Sequence, residues 1–244
     1  MENAQLIGLS RQIALRRQMD VVANNIANIN TTGFKVETLL FEEYKMPVAR
    51  DKDFTANDQI LSYTQDWATI HNFTGGAIVQ TGNELDVSLQ GNGFLTIQTP
   101  NGERYTRNGE LKINNEGILV TNNGNPVLSE GGQIRFESGE TNIVIDGEGF
   151  ISTSNGTKGR LKVVSFENPQ SLTREGDNLF AGINPELDYA TKVSQGTIEK
   201  SNVSSVMEMA QMIRVSRAYE TISKMQKSHN DLRQSAIQKL GTLA

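Results

Sequence analysis

The chain has 244 residues and a formal net charge of −5, with 28 acidic against 23 basic side chains. A generic nucleic-acid binder carries a basic field, so we expect no nucleic-acid partner. Cysteine is absent and histidine occurs twice, which excludes disulfides, thiol nucleophiles and Cys–His zinc sites. No apolar run approaches the roughly 18 residues of a membrane-spanning helix, and the first residues lack the basic region of a cleaved secretory signal.

The first zone, residues 1–30, is predicted to be one helix. Its apolar residues alternate at spacings of four and three, which is the pattern of a coiled-coil seam: Leu15, Met19, Val22, Ile26 and Ile29. Leu6, Leu9 and Ile13 lie on a different face. A helix with two apolar faces requires more than one neighbour. We also expect Asn28 and Gly33 to fix the turn out of this helix, with Gly33 at positive φ.

A polar connector, residues 31–82, follows. Its mixed composition predicts an extended or partly ordered segment that is anchored on its neighbours by aromatic side chains, among them Phe34, Phe41, Tyr44 and Phe73.

The third zone, residues 83–200, alternates short β-prone runs with glycine-containing turns. It holds five Asn-Gly dipeptides, the strongest short signal for a hairpin, at 92–93, 101–102, 108–109, 123–124 and 155–156. We therefore predict a mainly antiparallel β-domain.

The last zone, residues 201–244, is predicted to be a long helix with Ser201 or Asn202 as its N-cap. Its apolar seam again alternates by three and four, through Val215, Ala218, Ile222, Met225, His229, Leu232 and Ala236. The predicted fold class is thus α+β and multidomain: the long terminal helices pair as a coiled coil, an extended connector follows the first helix, and the central domain is mainly antiparallel β.

Enzymatic chemistry has little support in this sequence. No histidine occurs between Asn72 and Ser228, so the β-domain cannot hold a Ser-His-Asp triad. The Gly91-Asn92-Gly93 turn lacks the further glycine and the Gly-Lys-Ser/Thr of a phosphate loop. We expect no catalytic residues, no cofactor, no metal and no small-molecule substrate.

Three blocks make the sequence resemble the axial rod and hook proteins of the bacterial flagellum. The first runs from Asn24 to Lys35 and reads NNIANINTTGFK, with Thr32 where the family usually has Pro. The second is LDVSLQGNGF at 85–94, continuing through YTRNG at 105–109 and LVT at 119–121. The third is QGTIEKSNV at 195–203, followed by RAYE at 217–220. Together the blocks span nearly the whole chain in the family's order.

This resemblance implies a structural protein, not an enzyme. Family members pair their terminal helices into a coiled coil, pack helically into a tube, and carry the β-domain outside it. The implied partners are other rod subunits, further copies of the chain, and the flagellar type III export apparatus during passage to the periplasm. The implied function is to transmit torque from motor to hook. The connector sequence FEEY at 41–44 and the modest length are most similar to proximal rod subunits.

The candidate assembly residues are the seam and motif positions. They are Val22, Ile26, Asn28, Gly33, Phe34, Ser201, Asn202, Val203, Tyr219, Ile222 and Met225. Seam positions are expected to bury against other helices, so that Ile222→Asp should block assembly while the β-domain stays folded.

Three other interpretations remain open at this point. The chain is alternatively a distal rod subunit of the same family. A second alternative is a secreted β-domain that binds glycan or peptide and is oligomerised by its helices. The third, a hydrolase built on the β-domain, lacks the histidine that such a site needs.

Overall fold

The computed structural model describes residues 2–47 and 60–241. The chain divides into two compact units. We call residues 1–27, 37–70 and 204–244 the helical unit, and residues 28–36 and 71–203 the β unit.

The helical unit contains two long helices and one two-stranded sheet. Helix α1 spans Glu2–Ala27 and helix α2 spans Ser205–Gly241, which corresponds to about 39 Å and 55 Å at 1.5 Å per residue. Strands β1 (Glu37–Pro47) and β2 (Ile60–His71) pair with each other. The predicted N-terminal and C-terminal helices are therefore confirmed.

The two helices contact each other in antiparallel orientation. Gln5 Nε2 donates to Asn230 Oδ1 at 2.6 Å near one end, and Asn25 Nδ2 donates to Glu208 Oε2 at 3.1 Å near the other. Gly8 lies against Gln226 between these points. Helix α2 continues past Asn230 to Gly241, beyond the start of α1.

The β unit is built from short antiparallel strands, which confirms the predicted central β-rich region. Six of them form one sheet. In their order across the sheet they are β15 (Thr173–Arg174), β16 (Leu179–Ala181), β6 (Gly102–Thr106), β5 (Phe94–Thr99), β14 (Val163–Ser165) and β17 (Glu186–Leu187).

The remaining strands form smaller sheets. These are β3 (Ile78–Gln80) with β19 (Thr197–Glu199), β4 (Val87–Gln90) with β18 (Lys192–Gln195), β7 (Leu111–Ile113) with β8 (Leu119–Thr121), β9 (Leu128–Ser129) with β10 (Gly132–Gln133), and β11 (Val144–Ile145), β12 (Phe150–Thr153) and β13 (Gly156–Arg160) together.

Strand β5 separates two hydrophobic cores of the β unit. Because successive side chains of a strand point to opposite faces, Leu95 and Ile97 enter the larger aliphatic core while Phe94 enters a smaller aromatic one. The aromatic core also contains Tyr105 and Phe180. Burial on both faces explains why β5 has apolar residues at adjacent positions, Phe94 and Leu95.

Only three of the five Asn-Gly dipeptides lie at tight reversals. Those at 101–102 and 155–156 connect the β5–β6 and β12–β13 hairpins, and 123–124 forms a turn in which Gly124 N–H donates to Thr121 O. The dipeptides at 92–93 and 108–109 precede strands that pair elsewhere. There glycine is needed for space, since a Cβ on Gly109 would lie 1.8 Å from Val87 O.

The predicted N-caps of the last helix are wrong. Helix α2 begins at Ser205, and Glu208 N–H donates to Ser204 O. Ser201 Oγ instead accepts from Val203 N–H, and the Asn202 side chain binds backbone within the β unit. Local sequence alone favours capping at Ser201 or Asn202, but these side chains have other backbone partners.

The connector aromatics divide into two groups. Phe34 is buried and Phe73 packs on the aromatic core, whereas Phe41 and Tyr44 on β1 are exposed. Of these four aromatics, the two in the β unit show the expected anchoring and the two on β1 do not.

Candidate functional site

The three sequence blocks meet in the β unit at one buried ionic cluster. Lys35 from the first block, Arg107 from the second and Glu199 from the third form what we call the motif cluster. Lys35 Nζ lies 2.6 Å from Glu199 Oε1, and Arg107 Nη1 lies 3.7 Å from Glu199 Oε2. All three side chains are at most 3% exposed. One carboxylate therefore joins segments that are 72 or more residues apart in sequence.

Backbone groups hydrogen-bond part of this cluster, whereas Arg107 Nε and Glu199 Oε2 are buried without a hydrogen-bond partner among the described residues. Lys35 Nζ donates to Thr74 O at 2.8 Å, and Arg107 Nη2 donates to Gly91 O at 2.7 Å. Glu199 Oε1 also accepts from Gly76 N–H at 2.8 Å. Burial lowers the pKa of Lys35 and the pKa of Arg107, and the nearby Glu199 carboxylate opposes both shifts. Such buried charges are tolerated because partners replace water.

Gly33 lies at the point where the first and third blocks touch. Its φ is +69°, which confirms the predicted positive φ. Its N–H donates to Glu199 O at 2.7 Å. A Cβ here would lie 2.4 Å from the backbone carbon of Arg107. Glycine is therefore required both for the backbone conformation and for the close approach of another chain segment.

The corner before Gly33 is held by hydrogen bonds. Asn28 O accepts from Thr31 N–H at 3.2 Å, and the side chains of Asn28 and Thr31 are 3.1 Å apart. Thr32 Oγ1 donates to Glu110 at 2.6 Å, and Thr32 O accepts from Asn178 Nδ2 at 3.0 Å. Threonine thus has two polar partners at the position where the family usually has Pro.

The Asn202 side chain joins two backbone segments of the β unit through hydrogen bonds. Its Oδ1 accepts from Val36 N–H at 2.8 Å, while its Nδ2 donates to Asn72 O at 2.8 Å. Beside it, Val203 is buried, and the Arg174 guanidinium lies 4.3 Å above the ring of the buried Phe34. The motif candidates Gly33, Phe34, Asn202 and Val203 therefore all lie in the β unit and stabilise it.

The seam candidates lie in the helical unit. Val22 is buried, and Ile26, Tyr219 and Ile222 are half-buried. Met225 is 60% exposed. Ile222 and Met225 line an open, mainly apolar cavity of about 570 Å³ between α1 and α2, together with Ile7, Gly8, Arg11, Ala218 and Thr221.

Both helices also present apolar side chains to solvent. On α1 these follow a three-and-four spacing at Leu6, Leu9 and Ile13, and on α2 the same spacing recurs at Val206, Met209 and Ile213. Met207, Leu232, Ile237 and Leu240 are exposed as well. Exposed apolar stripes of this kind mark surfaces for protein partners.

The sequence did not indicate which polar side chains are buried, either as members of the ionic cluster or as partners of backbone groups. Arg107 and Glu199 stood inside the recognised blocks, but nothing in their local pattern indicated burial. Asn25 is 1% exposed and binds Glu37 through both groups of its amide, at 2.9 and 3.0 Å. Asn25 directly precedes the seam residue Ile26, and this position beside the seam is the one available signal, because a buried amide needs specific partners.

Within residues 2–47 and 60–241, no group of three His, Asp or Glu side chains is placed to hold a metal ion. None of the helices there is long and apolar enough to cross a membrane.

Comparison with known protein families matches three regions of the chain. A model described as "Flagella basal body rod protein" matches residues 6–35, "Flagellar hook protein FlgE/F/G D1 domain" matches 88–153, and "Flagellar basal body rod FlgEFG protein C-terminal" matches 194–239. The chain therefore belongs to the family of flagellar hook and basal-body rod proteins, as the sequence blocks indicated.

Within this family, relatives that align over nearly the full chain are rod proteins of two kinds, FlgF and FlgG. The chain is 38% identical to the flagellar basal-body rod protein FlgF of Caulobacter vibrioides, with all of both chains covered. It is 29% identical to FlgF of Mesorhizobium japonicum over 99% of each chain. It is also 34% identical to the rod protein FlgG of Borreliella burgdorferi, over 91% of this chain and 93% of that protein.

Proposed function

We propose that this chain is a structural subunit of the flagellar basal-body rod, of the FlgF type and in the proximal rod. Its terminal helices pair as a coiled coil and pack against copies of the chain and against other rod subunits. The assembled helices transmit torque from motor to hook. The chain has no catalytic role and reaches the periplasm through the flagellar type III export apparatus.

The single observation that carries this proposal is the pair of unpartnered apolar helix faces. The faces at Leu6, Leu9 and Ile13 and at Val206, Met209 and Ile213 are exposed although helices α1 and α2 contact each other. Burying a large apolar side chain contributes about 1.5–3 kcal/mol. Many such contacts, each modest, suit an interface that must bear load across a large area.

The test uses Ile213, whose side chain is 54% exposed. Ile213→Asp should leave the unfolding free energy of the isolated chain within about 0.5 kcal/mol of wild type, because surface changes have small effects. It should abolish incorporation into basal bodies and motility in cells that lack the native protein. The matched control is Ser228→Asp, which adds the same charge at an exposed polar position of α2 and should assemble normally. Normal motility of Ile213→Asp would contradict the proposal.

A second candidate is the distal rod subunit of the same family. The observation in its favour is the match to relatives named FlgG, such as 32% identity over 85% of the chain for FlgG of Buchnera aphidicola subsp. Baizongia pistaciae. The complete coverage of both chains against FlgF of Caulobacter vibrioides favours the proximal position. Copy number in isolated basal bodies separates the two.

A further inference from the structure

The five Asn-Gly dipeptides differ in how the fold holds them. At 92–93, the Gly93 N–H donates to Thr191 Oγ1 at 2.9 Å in a buried site. At 108–109, Asn108 Oδ1 accepts from Glu110 N–H at 3.0 Å, and Gly109 O accepts from Val87 N–H at 2.9 Å. Both glycines are buried. The backbone at these two sites is therefore fixed by its neighbours.

The other three dipeptides lie at exposed turns. Asn101, Asn123 and Asn155 are all exposed, and so is Asn92, so the two groups differ in how the glycine backbone is held and not in the exposure of the asparagine. A Cβ on Gly124 or Gly156 would meet nothing within 4 Å, and one on Gly102 would meet only the Arg104 guanidinium at 3.6 Å. Exposed turns open locally at low free-energy cost, including the turn closed by the Gly124 N–H bond to Thr121 O.

Deamidation of asparagine is the reaction that depends on this local opening of the backbone. The glycine backbone nitrogen attacks the asparagine Cγ, a succinimide ring forms, and the side-chain nitrogen leaves as ammonia. Water then opens one of the two imide C–N bonds to give aspartate or isoaspartate. The sum is one amide and one water converted into one carboxylate and one ammonium ion, with no oxidation or reduction. The attack requires rotation of the backbone, which a fixed segment prevents.

We infer that Asn101, Asn123 and Asn155 are sites of spontaneous deamidation in the folded protein, and that the fold protects Asn92 and Asn108. Each event adds one negative charge to the β unit. At Asn155 the new carboxylate would form beside Glu140, because Asn155 Nδ2 lies 3.4 Å from Glu140 Oε1. An isoaspartate would also lengthen the backbone at the turn of the β12–β13 hairpin.

The experiment follows all five sites in the full chain at mildly alkaline pH by peptide-resolved mass spectrometry, which detects the mass gain of an amide-to-acid change. A parallel incubation in urea gives the rate of each site without the fold. The native rate of each site is then divided by its own denatured rate, which removes the effect of the preceding residue.

We expect this ratio to be at least about tenfold higher at Asn101, Asn123 and Asn155 than at Asn92 and Asn108. About 1.4 kcal/mol of additional opening free energy already gives that factor. Asn155→Gln should remove the reaction at residue 155 and leave the other four rates unchanged. Equal ratios at all five sites, or higher ratios at Asn92 and Asn108, would overturn the inference.

Discussion

Glu199 is the only acidic member of the motif cluster, so it compensates two buried cations at once. Glu199→Gln should lower the unfolding free energy by about 3–5 kcal/mol, because Lys35 and Arg107 then lose the carboxylate that pairs them. Urea unfolding of the purified chain measures this. Glu186→Gln is the matched control, since Glu186 is exposed on β17. A Glu199→Gln chain as stable as the control would show that the cluster contributes nothing to the fold.

Asp188 makes the stability of the β unit depend on pH. Burial opposes ionisation, but hydrogen bonds from Thr191 Oγ1 and from the N–H groups of Ala190 and Thr191 outweigh it, with help from Arg107. The pKa of Asp188 is therefore lowered below its ordinary value of 3.8.

A carboxyl with a lowered folded-state pKa stabilises the fold above its unfolded value and loses that contribution as pH falls through the folded one. Asp188→Asn should therefore cost about 1–2 kcal/mol at pH near 7, where charged hydrogen bonds are lost. The difference from wild type should shrink as the pH is lowered below 3.8. Unfolding curves of both chains across this range measure it, and a pH-independent difference would contradict the assignment.

At the scale of elements, the turn after α1 depends on Gly33. Gly33→Ala should destabilise the chain by more than the roughly 1–3 kcal/mol of a strained positive φ, because the new Cβ also meets the Arg107 backbone at 2.4 Å. Gly82→Ala is a close control, with φ +75° and open space around its Cβ. The excess of the first loss over the second isolates the steric part. Equal losses would mean that only the backbone conformation matters.

A substitution at Ile222 tests the side of α2 that lies against α1, whereas the substitution at Ile213 tests an exposed side of the same helix. Ile222 is half-buried against the helix pair, so Ile222→Asp should destabilise the contact between α1 and α2 in the isolated chain and also block assembly. The near-ultraviolet circular dichroism from the aromatic core of the β unit should be retained. Loss of that signal would show that the two units do not fold independently, and normal motility would contradict the seam assignment.

Elements with a long, consistent pattern were predictable from the sequence. The three-and-four spacing placed both helices to within a few residues, and the short β-prone runs between turns located β5 and β7. The motif cluster was not predictable, because nothing in the local pattern of Lys35, Arg107 and Glu199 indicates burial, and only the tertiary fold brings them together. The Asn-Gly dipeptides at 92–93 and 108–109 do not form the predicted hairpins for the same reason. Glycine is needed there because residues distant in sequence, such as Val87 at Gly109, come close to it.

At the scale of the whole molecule, the two units distribute their apolar side chains differently. The β unit forms two hydrophobic cores and joins its three sequence blocks through an ionic cluster, although some of its apolar side chains, such as Ile183 and Val144, are exposed. The helical unit exposes apolar side chains in stripes of three-and-four spacing along both helices. Such stripes are expected of a subunit that assembles through its helices.

The most direct test of the rod assignment is quantitative mass spectrometry of hook–basal bodies purified from cells that produce this chain. A proximal rod subunit should be present at a few copies per basal body, far below the hook subunit. Some tens of copies would instead place it in the distal rod. Absence from basal bodies, with the protein abundant elsewhere in the same cells, would contradict the claim that this chain is a rod subunit.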